Sequence, residues 1–352
     1  MIIRNFPIQW IMGIITFVII LYLKIKMDNL KDQNKILFDT LTRIQNQIKY
    51  AKLDYSSSST NAQNHQLKPP YYDDILMIYN RVPKTGSTSF VGVVYELCKQ
   101  NKFHALHINV SNNMHTLTLS NQIQFVNNIT QWDGMKPAFY HGHMAFINFH
   151  KFGVKQIPLY INLLRKPLDR FVSYYYFLRY GDNFRPHLIR KKHGDTKTFD
   201  ECVKNDQADC DPNNMWLQIP FLCGHDPDCW QVGNKWALEE AKRNLANNYL
   251  LVGVTEELDE FIQILQIIFP RFFRGAYDYF VHSNKSHLRQ TTQKINPLPE
   301  TIRKIHNSTV WQMENELYNY ALAHFHNVKK RLFKANPQDL YQHFMYEKIR
   351  PK

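Results

Sequence analysis

Residues 75–90 read ILMIYNRVPKTGSTSF. The first five form a continuous apolar run, the pattern of a strand buried on both faces. The loop RVPKTGST follows at 81–88, and the apolar residues of SFVGVVYELCKQN then return at helical spacing. This order of strand, loop and helix puts the loop at a strand's carboxyl end, where parallel α/β sheets bind ligands. Backbone N–H groups at the helix N-terminus, aided by the helix dipole, attract anions. Gly86 lets the backbone approach a ligand closely, Lys84 adds a positive charge, and Thr85, Ser87 and Thr88 add hydroxyl donors. The pattern differs from GxxxxGK[ST], because the lysine precedes the glycine and the first glycine is absent. An ordinary polar loop with a capping serine is the plainer alternative.

Working outward, 103–108 reads as a second strand and the apolar run IPLYINLL at 157–164 as a third. A helix from about Pro167 to Tyr180 follows, with proline in its first turn. YLLVGV at 249–254 is another buried-type strand. Thr255 then reads as an N-cap, with Glu256 and Glu257 in the positive first turn of a helix. Strands alternating with helices predict an α/β domain, a mostly parallel sheet flanked by helices. No internal repeat is present.

The chain has 352 residues, 44% hydrophobic and 21% charged, which excludes a largely disordered polymer. Lys plus Arg is 43 against 30 for Asp plus Glu, a net +13 that calls for an anionic partner: nucleic acid, membrane surface, anionic polysaccharide or nucleotide. Residues 8–23, IQWIMGIITFVIILYL, carry no charge and approach the length of a membrane span. A signal peptide would show a small-residue cleavage site, and YLKIKMDNL offers none, so the segment is expected to be an uncleaved anchor after a short tail at 1–7. Arg4 lies before the span and Lys24, Lys26 and Lys31 after it, which does not favour translocating the C-terminal side. In the stem at 24–70, Leu30, Leu37, Ile44 and Ala51 recur every seven residues, with Asn34, Leu41 and Ile48 between them. A coiled coil over 30–51 and a solvated amphipathic helix both fit. Residues 56–70 are a polar linker closed by Pro69-Pro70, and the main domain is expected at 71–352.

Tyr140-His141-Gly142-His143 supplies two imidazoles at i, i+2, on one side of an extended segment. Alone the pair fits a proton-transfer site, a zinc pair or two surface histidines, but no further ligand at metal spacing is nearby. PKTGST after a first strand resembles the 5′-phosphosulfate loop of sulfotransferases that use 3′-phosphoadenosine 5′-phosphosulfate (PAPS). LLRKPLDRFVSYYYF resembles their 3′-phosphate segment, which implies that Arg165 and Ser173 bind that phosphate. That family often has Asp where Lys166 stands here, implying a lost local ion pair to Arg170. FYHGH, FGVK, KTFDECV, WLQIPF, CGH, LVGVTEELDEFI, PRFFRGA, KSHLR, MENE and YEKI, in collinear order to the C-terminus, are similar to the heparan sulfate 2-O-sulfotransferases.

The resemblance implies a P-loop-like sulfotransferase fold, with PAPS as co-substrate and no metal. It implies His143 as base with His141 beside it, and Lys84 at the leaving 5′-phosphate. Lys84, Thr85, Gly86, Ser87, Thr88, Arg165 and Ser173 would hold the nucleotide, joined by Thr291, Thr292 and Lys294 from a segment that closes over it. Arg81, Tyr95, His107, Asn113, Arg185, Arg190, Arg289 and Lys348 match polysaccharide contacts. Arg forks suit carboxylate and sulfate, although RKKH at 190–193 also fits a solvated basic loop. Family members are trimers whose tail reaches a neighbour, so a homotrimer with Lys348 crossing between subunits is expected.

Cys202 and Cys210, and Cys223 and Cys229, flank short polar loops, with seven and five intervening residues. Local pairing would staple both loops, and those spacings fit a CxxC zinc site poorly. The resemblance implies the bridges Cys202–Cys210 and Cys223–Cys229, with Cys98 free and buried on the first helix. Disulfides need an oxidising compartment; sequons at Asn109, Asn128, Asn284 and Asn307 agree with one. Long domains translocate regardless of nearby charge, so the expectation is a single-pass type II Golgi membrane protein with a lumenal catalytic domain. Its activity would be PAPS-dependent 2-O-sulfation of uronic acid, mainly iduronate, in heparan sulfate. The alternatives are a chondroitin/dermatan uronyl 2-O enzyme and a non-catalytic heparin-binding membrane protein. Nucleic acid is not an expected partner, because an anchored lumenal chain would not meet it.

Overall fold

The computed structural model describes Lys24 and residues 74–110, 114–283 and 291–334. The anchor at 8–23, the coiled coil at 30–51, the linker at 56–70, Asn113, Asn284, Arg289 and Lys348 lie outside the described residues. Among the described residues, no helix is long and apolar enough to cross a membrane.

Five parallel strands form one sheet in the order β2-β3-β1-β4-β5: β1 (Leu76–Asn80), β2 (His104–Ile108), β3 (Ala138–Gly142), β4 (Leu159–Leu164) and β5 (Tyr249–Val254). β1 is central, between β3 and β4, and all five of its residues are buried. Its side chains alternate. Leu76 and Ile78 enter the core on one face of the sheet, Met77 and Tyr79 the core on the other. That two-sided burial is why the strand is continuously apolar. β3 escapes a pattern search because AFYHG mixes apolar and polar residues, yet all five are buried. Gly142 is needed there, since a Cβ would lie 2.5 Å from the Ile108 carbonyl oxygen on β2.

The helix after β1 is α1 (Ser87–Gln100), and α2 (Leu119–Gln131) precedes β3. α3 (Pro167–Tyr180) follows β4 over the predicted bounds. Then come α4 (Phe199–Lys204), α5 (Gln218–Cys223), α6 (Lys235–Asn248), α7 (Leu258–Ile268), α8 (Pro270–Phe273), α9 (Ala276–His282), α10 (Pro299–His306) and α11 (Thr309–Lys334). Phe90 of α1 meets Tyr79 and Phe261 edge-on, with ring centroids 5.3 Å apart in each case, and so ties α1 and α7 to one sheet face.

Two local readings change, and a third gains detail. Thr255 does not cap α7; its hydroxyl points away, to the backbone carbonyls of Thr85 and of Leu164 at the end of β4. Cys98 is unpaired, but only partly buried, with Sγ toward the Tyr95 carbonyl. Arg170, for which a lost local ion pair is expected, feels a carboxylate from far away in sequence. It lies fully buried with Nη2 donating to the Met215 carbonyl (2.7 Å), beside the equally buried Glu314 of α11. Glu314 in turn accepts from the amides of Leu217 and Ile219. Both disulfides, Cys202–Cys210 and Cys223–Cys229, are formed. Asn109, Asn128 and Asn307 are exposed.

Candidate active site

The carboxyl ends of β1, β3, β4 and β5 converge where the chain switches direction about the central strand, the usual ligand position in such sheets. A cavity of about 880 Å³ opens there. All of the ten nucleotide-site residues named from the sequence line it, except Thr85 and Thr292; His143 lines it too. Thr85 is buried, with its hydroxyl donating to the Val82 carbonyl, and Thr292 donates to the Tyr180 carbonyl. These two shape the walls.

The loop after β1 holds Lys84 at φ 69° and Gly86 at φ 72°. A non-glycine residue in left-handed space costs about 1–3 kcal/mol and persists where surroundings enforce it. Left-handed residues beside a helix start are the arrangement from which anion nests are built, and Lys84, Gly86, Ser87 and Thr88 line the cavity at the start of α1. Thr255 is the enforcing residue that the sequence did not disclose. Its hydroxyl lies 2.9 Å from the Thr85 carbonyl oxygen and 3.0 Å from that of Leu164, and its Cγ2 would lie 3.0 Å from a Cβ at Gly86. One hydroxyl thus joins the ends of β1, β4 and β5.

Arg165 leaves β4 and donates through Nη1 to the Lys84 carbonyl (3.3 Å). Its own amide and carbonyl are clasped by the side chain of the fully buried Gln218. Lys84 Nζ donates to Thr291 Oγ1 (2.8 Å), which lies 3.1 Å from Ser173 Oγ, and sits 4.4 Å from the Phe177 ring centroid. Burial, with Arg165 alongside, lowers the pKa of Lys294. Two groups expected at opposite ends of a bisphosphate nucleotide, Lys84 and Ser173, therefore share one hydroxyl. The converging cations, hydroxyls and amides fit a doubly phosphorylated anion.

His143 stands on the other side of Arg81. Its Nδ1–H donates to the Arg81 carbonyl (2.9 Å), which leaves Nε2 as the lone-pair nitrogen, 3.0 Å from Arg81 Nη2. Burial and then the Arg81 charge push its pKa down to about 3. His141 is lowered to about 3 by the same two causes in the same order. The Tyr95 hydroxyl and His141 Nε2 share a hydrogen bond (2.6 Å), and the exposed His107 ring lies 5.0 Å from that of His141. With both His143 nitrogens engaged and a guanidinium at Nε2, this pair is a poor metal site. Among the described residues, no three His, Cys, Asp or Glu side chains come together as metal ligands.

Arg190 is not simply a solvated cation of the RKKH run. Its guanidinium lies 4.4 Å from the Phe177 ring centroid and its Nη2 3.5 Å from Asp182 Oδ2. Lys192 pairs with Asp209, which also takes Arg179. Arg185 is exposed near Phe184.

Residues 71–321 match the profile of the sulfotransferase family. The chain belongs to the sulfotransferase family. A heparin sulfate O-sulfotransferase of Drosophila melanogaster is 59% identical over 282 residues, 80% of each chain. A heparan sulfate 2-O-sulfotransferase 1 of Mus musculus is 52% identical over 300 residues, 82% of this chain and 84% of the relative. One from Xenopus laevis is 47% identical over 350 residues, covering 98% of this chain and 97% of the relative. This sulfotransferase therefore aligns with enzymes named for heparan sulfate along nearly its whole length.

The depressed imidazoles carry a stability consequence for the sulfotransferase. His225, buried and bonded to the Ala145 carbonyl, is lowered to about 4, joining His141 and His143. In the unfolded chain these groups take up protons below about pH 6.5; in the fold they resist until pH 3–4. Stability is thus complete above the unfolded value and drains away as pH falls toward the folded ones. Thermal melts should show a constant Tm from pH 8 to 7 and a fall of several degrees by pH 5. A Tm that rises below pH 6 would contradict the assignment.

Proposed function

We propose that this sulfotransferase moves a sulfuryl group from PAPS to the 2-hydroxyl of uronic acid, mainly iduronate, in heparan sulfate. The observation that carries the proposal is the seating of a lone-pair imidazole nitrogen, His143 Nε2, on the cavity that also holds Lys84, Arg165 and Ser173. The names of the aligned relatives supply the substrate class. When bound, PAPS supplies a sulfuryl group that passes in line to the acceptor oxygen, with adenosine 3′,5′-bisphosphate leaving.

The protein's residues divide the remaining work. The nest at 84–88 and Lys84 would hold the 5′ side, and Arg165, Ser173 and Lys294 the 3′-phosphate; Thr291 lies between them. His143 Nε2 accepts the hydroxyl proton, for which the acceptor must take the place now held by Arg81 Nη2. An imidazolium beside Arg81 is costly alone. Phosphate and uronate anions raise its basicity when they arrive. Arg81, His107, Tyr95, Arg185 and Arg190 face the polyanion, whose planar carboxylates and sulfates suit arginine forks. Asn113, Arg289 and Lys348 are proposed to add to that surface, and His141 orients the acceptor from its bond to Tyr95.

The discriminating experiment presents labelled PAPS with defined heparan and dermatan acceptors. Sulfate should enter heparan chains preferentially. A preference for dermatan would instead assign the chondroitin/dermatan uronyl enzyme, and polysaccharide binding without transfer would assign a non-catalytic binder.

The same reading places the chain in the Golgi membrane by an anchor at 8–23, with the catalytic domain in the lumen. Two disulfides and three exposed sequon asparagines support an oxidising, glycosylating compartment. It also makes the enzyme a homotrimer, on the strength of the heptad row at 30–51 and the YEKI tail. Sedimentation of the full-length chain should give three copies; a fully active monomer would refute a site shared between subunits.

A further inference from the structure

We infer that donor nucleotide and acceptor polysaccharide bind with positive coupling, and that Asp182 is the positioning residue that transmits it. The inference rests on the donor and acceptor assignments above and adds an order to them. Asp182 is buried at the end of α3, with a fully covered side chain, and its interactions run in two directions. Its backbone makes an isolated antiparallel bridge to Thr291. Thr291 is the residue whose hydroxyl takes Lys84 Nζ at 2.8 Å and lies 3.1 Å from Ser173 Oγ, so it meets both halves of the donor site. The Asp182 carboxylate faces the acceptor side. Oδ1 accepts the amides of Phe184 (3.2 Å) and Arg185 (3.0 Å), and Oδ2 pairs with Arg190.

A second bridge runs parallel to the first. Lys84 Nζ and the Arg190 guanidinium each lie 4.4 Å from the centroid of the same ring, Phe177. Arg190 is meanwhile held between this ring and the Asp182 carboxylate, so the position of its guanidinium depends on both.

The sign of the coupling follows from the anchor that the two sites share. Residues 183–189, which carry Arg185, are exposed throughout, with Ile189 at 79%. A polyanion that binds this loop restricts its exposed side chains, at an entropic cost, and relies on the Asp182 anchor to hold the backbone. A nucleotide that fixes Thr291 also fixes the backbone partner of Asp182, and with it the amides and the arginine that define the loop. The second ligand then meets a loop whose anchor is already fixed. Linkage requires the effect to be mutual.

Calorimetry on the full-length chain tests this directly, with adenosine 3′,5′-bisphosphate and an N-sulfated heparan oligosaccharide lacking 2-O-sulfate. Saturating nucleotide should tighten the oligosaccharide about tenfold, and saturating oligosaccharide should tighten the nucleotide by the same factor. Asp182→Asn keeps an oxygen for the two amides but removes the charge facing Arg190. It should leave nucleotide affinity alone within about twofold and bring the coupling factor close to one. The wild-type factor needs no variant and stays decisive if the substituted chain misfolds. Wild-type chain that binds both ligands independently would overturn the coupling while leaving the donor and acceptor assignments standing. Undiminished coupling in Asp182→Asn would overturn the role of Asp182. Failure of the wild-type chain to bind the nucleotide at all would remove the donor-site reading, and the coupling with it.

Discussion

His143→Ala should lower kcat by about 10²–10⁴-fold, the range for loss of a positioned general base, while adenosine 3′,5′-bisphosphate binding stays within about twofold. The separation is expected because the imidazole is held from the acceptor side. Nδ1 is spent on the Arg81 carbonyl and Nε2 faces Arg81 Nη2, whereas the nucleotide groups are fixed by Thr255, Gln218 and Thr291. The expected failure is therefore in proton acceptance, with the cavity intact. Steady-state kinetics with a parallel calorimetric titration would check it. Near-normal turnover would mean that another group takes the proton, and equal losses in turnover and nucleotide affinity would mean that His143 is chiefly structural.

Lys84→Ala and Arg165→Ala should divide the donor site between chemistry and binding. Lys84 is assigned to the 5′-phosphate, where negative charge grows during transfer, so its removal should appear in kcat, by about 10²–10³-fold. Arg165 is assigned to the 3′-phosphate, which does not react. Its removal should appear mainly in the KM for PAPS, with kcat changed far less. The two are not independent, because Arg165 Nη1 donates to the Lys84 carbonyl; the double variant should lose less than the sum of the single losses. Kinetics of the three variants at varied PAPS would decide the matter. Wild-type values in both single variants would move the nucleotide site elsewhere.

What the sequence disclosed was the part of the fold written locally. The apolar run at 75–79 and YLLVGV announced buried parallel strands, and Pro167 announced the start of α3. The loop at 81–88 could be read as an anion site because its amides, lysine and glycine are consecutive. What escaped was set by tertiary contact. Thr255 followed by two glutamates has the form of a capping sequence, yet its hydroxyl reaches the Thr85 and Leu164 carbonyls, and only the parallel sheet brings those together. The carboxylate whose charge acts on the buried Arg170 is Glu314 of α11, far away in sequence. Phe177 carries no local signal; its place beside both Lys84 and Arg190 depends on the loops that fold back over α3. The strand carrying His141 was hidden because its polar residues are buried for chemistry as well as for packing.

Disaccharide analysis after transfer is the most direct test of the central claim. The full-length chain would be incubated with labelled PAPS and an N-sulfated heparan acceptor lacking 2-O-sulfate, the product digested to disaccharides, and the label located. The account predicts label on the uronic acid at the 2-position, chiefly in iduronate-containing units, and none when His143→Ala replaces the wild-type chain. Label confined to glucosamine, or no transfer by a wild-type chain that still binds the nucleotide, would contradict it.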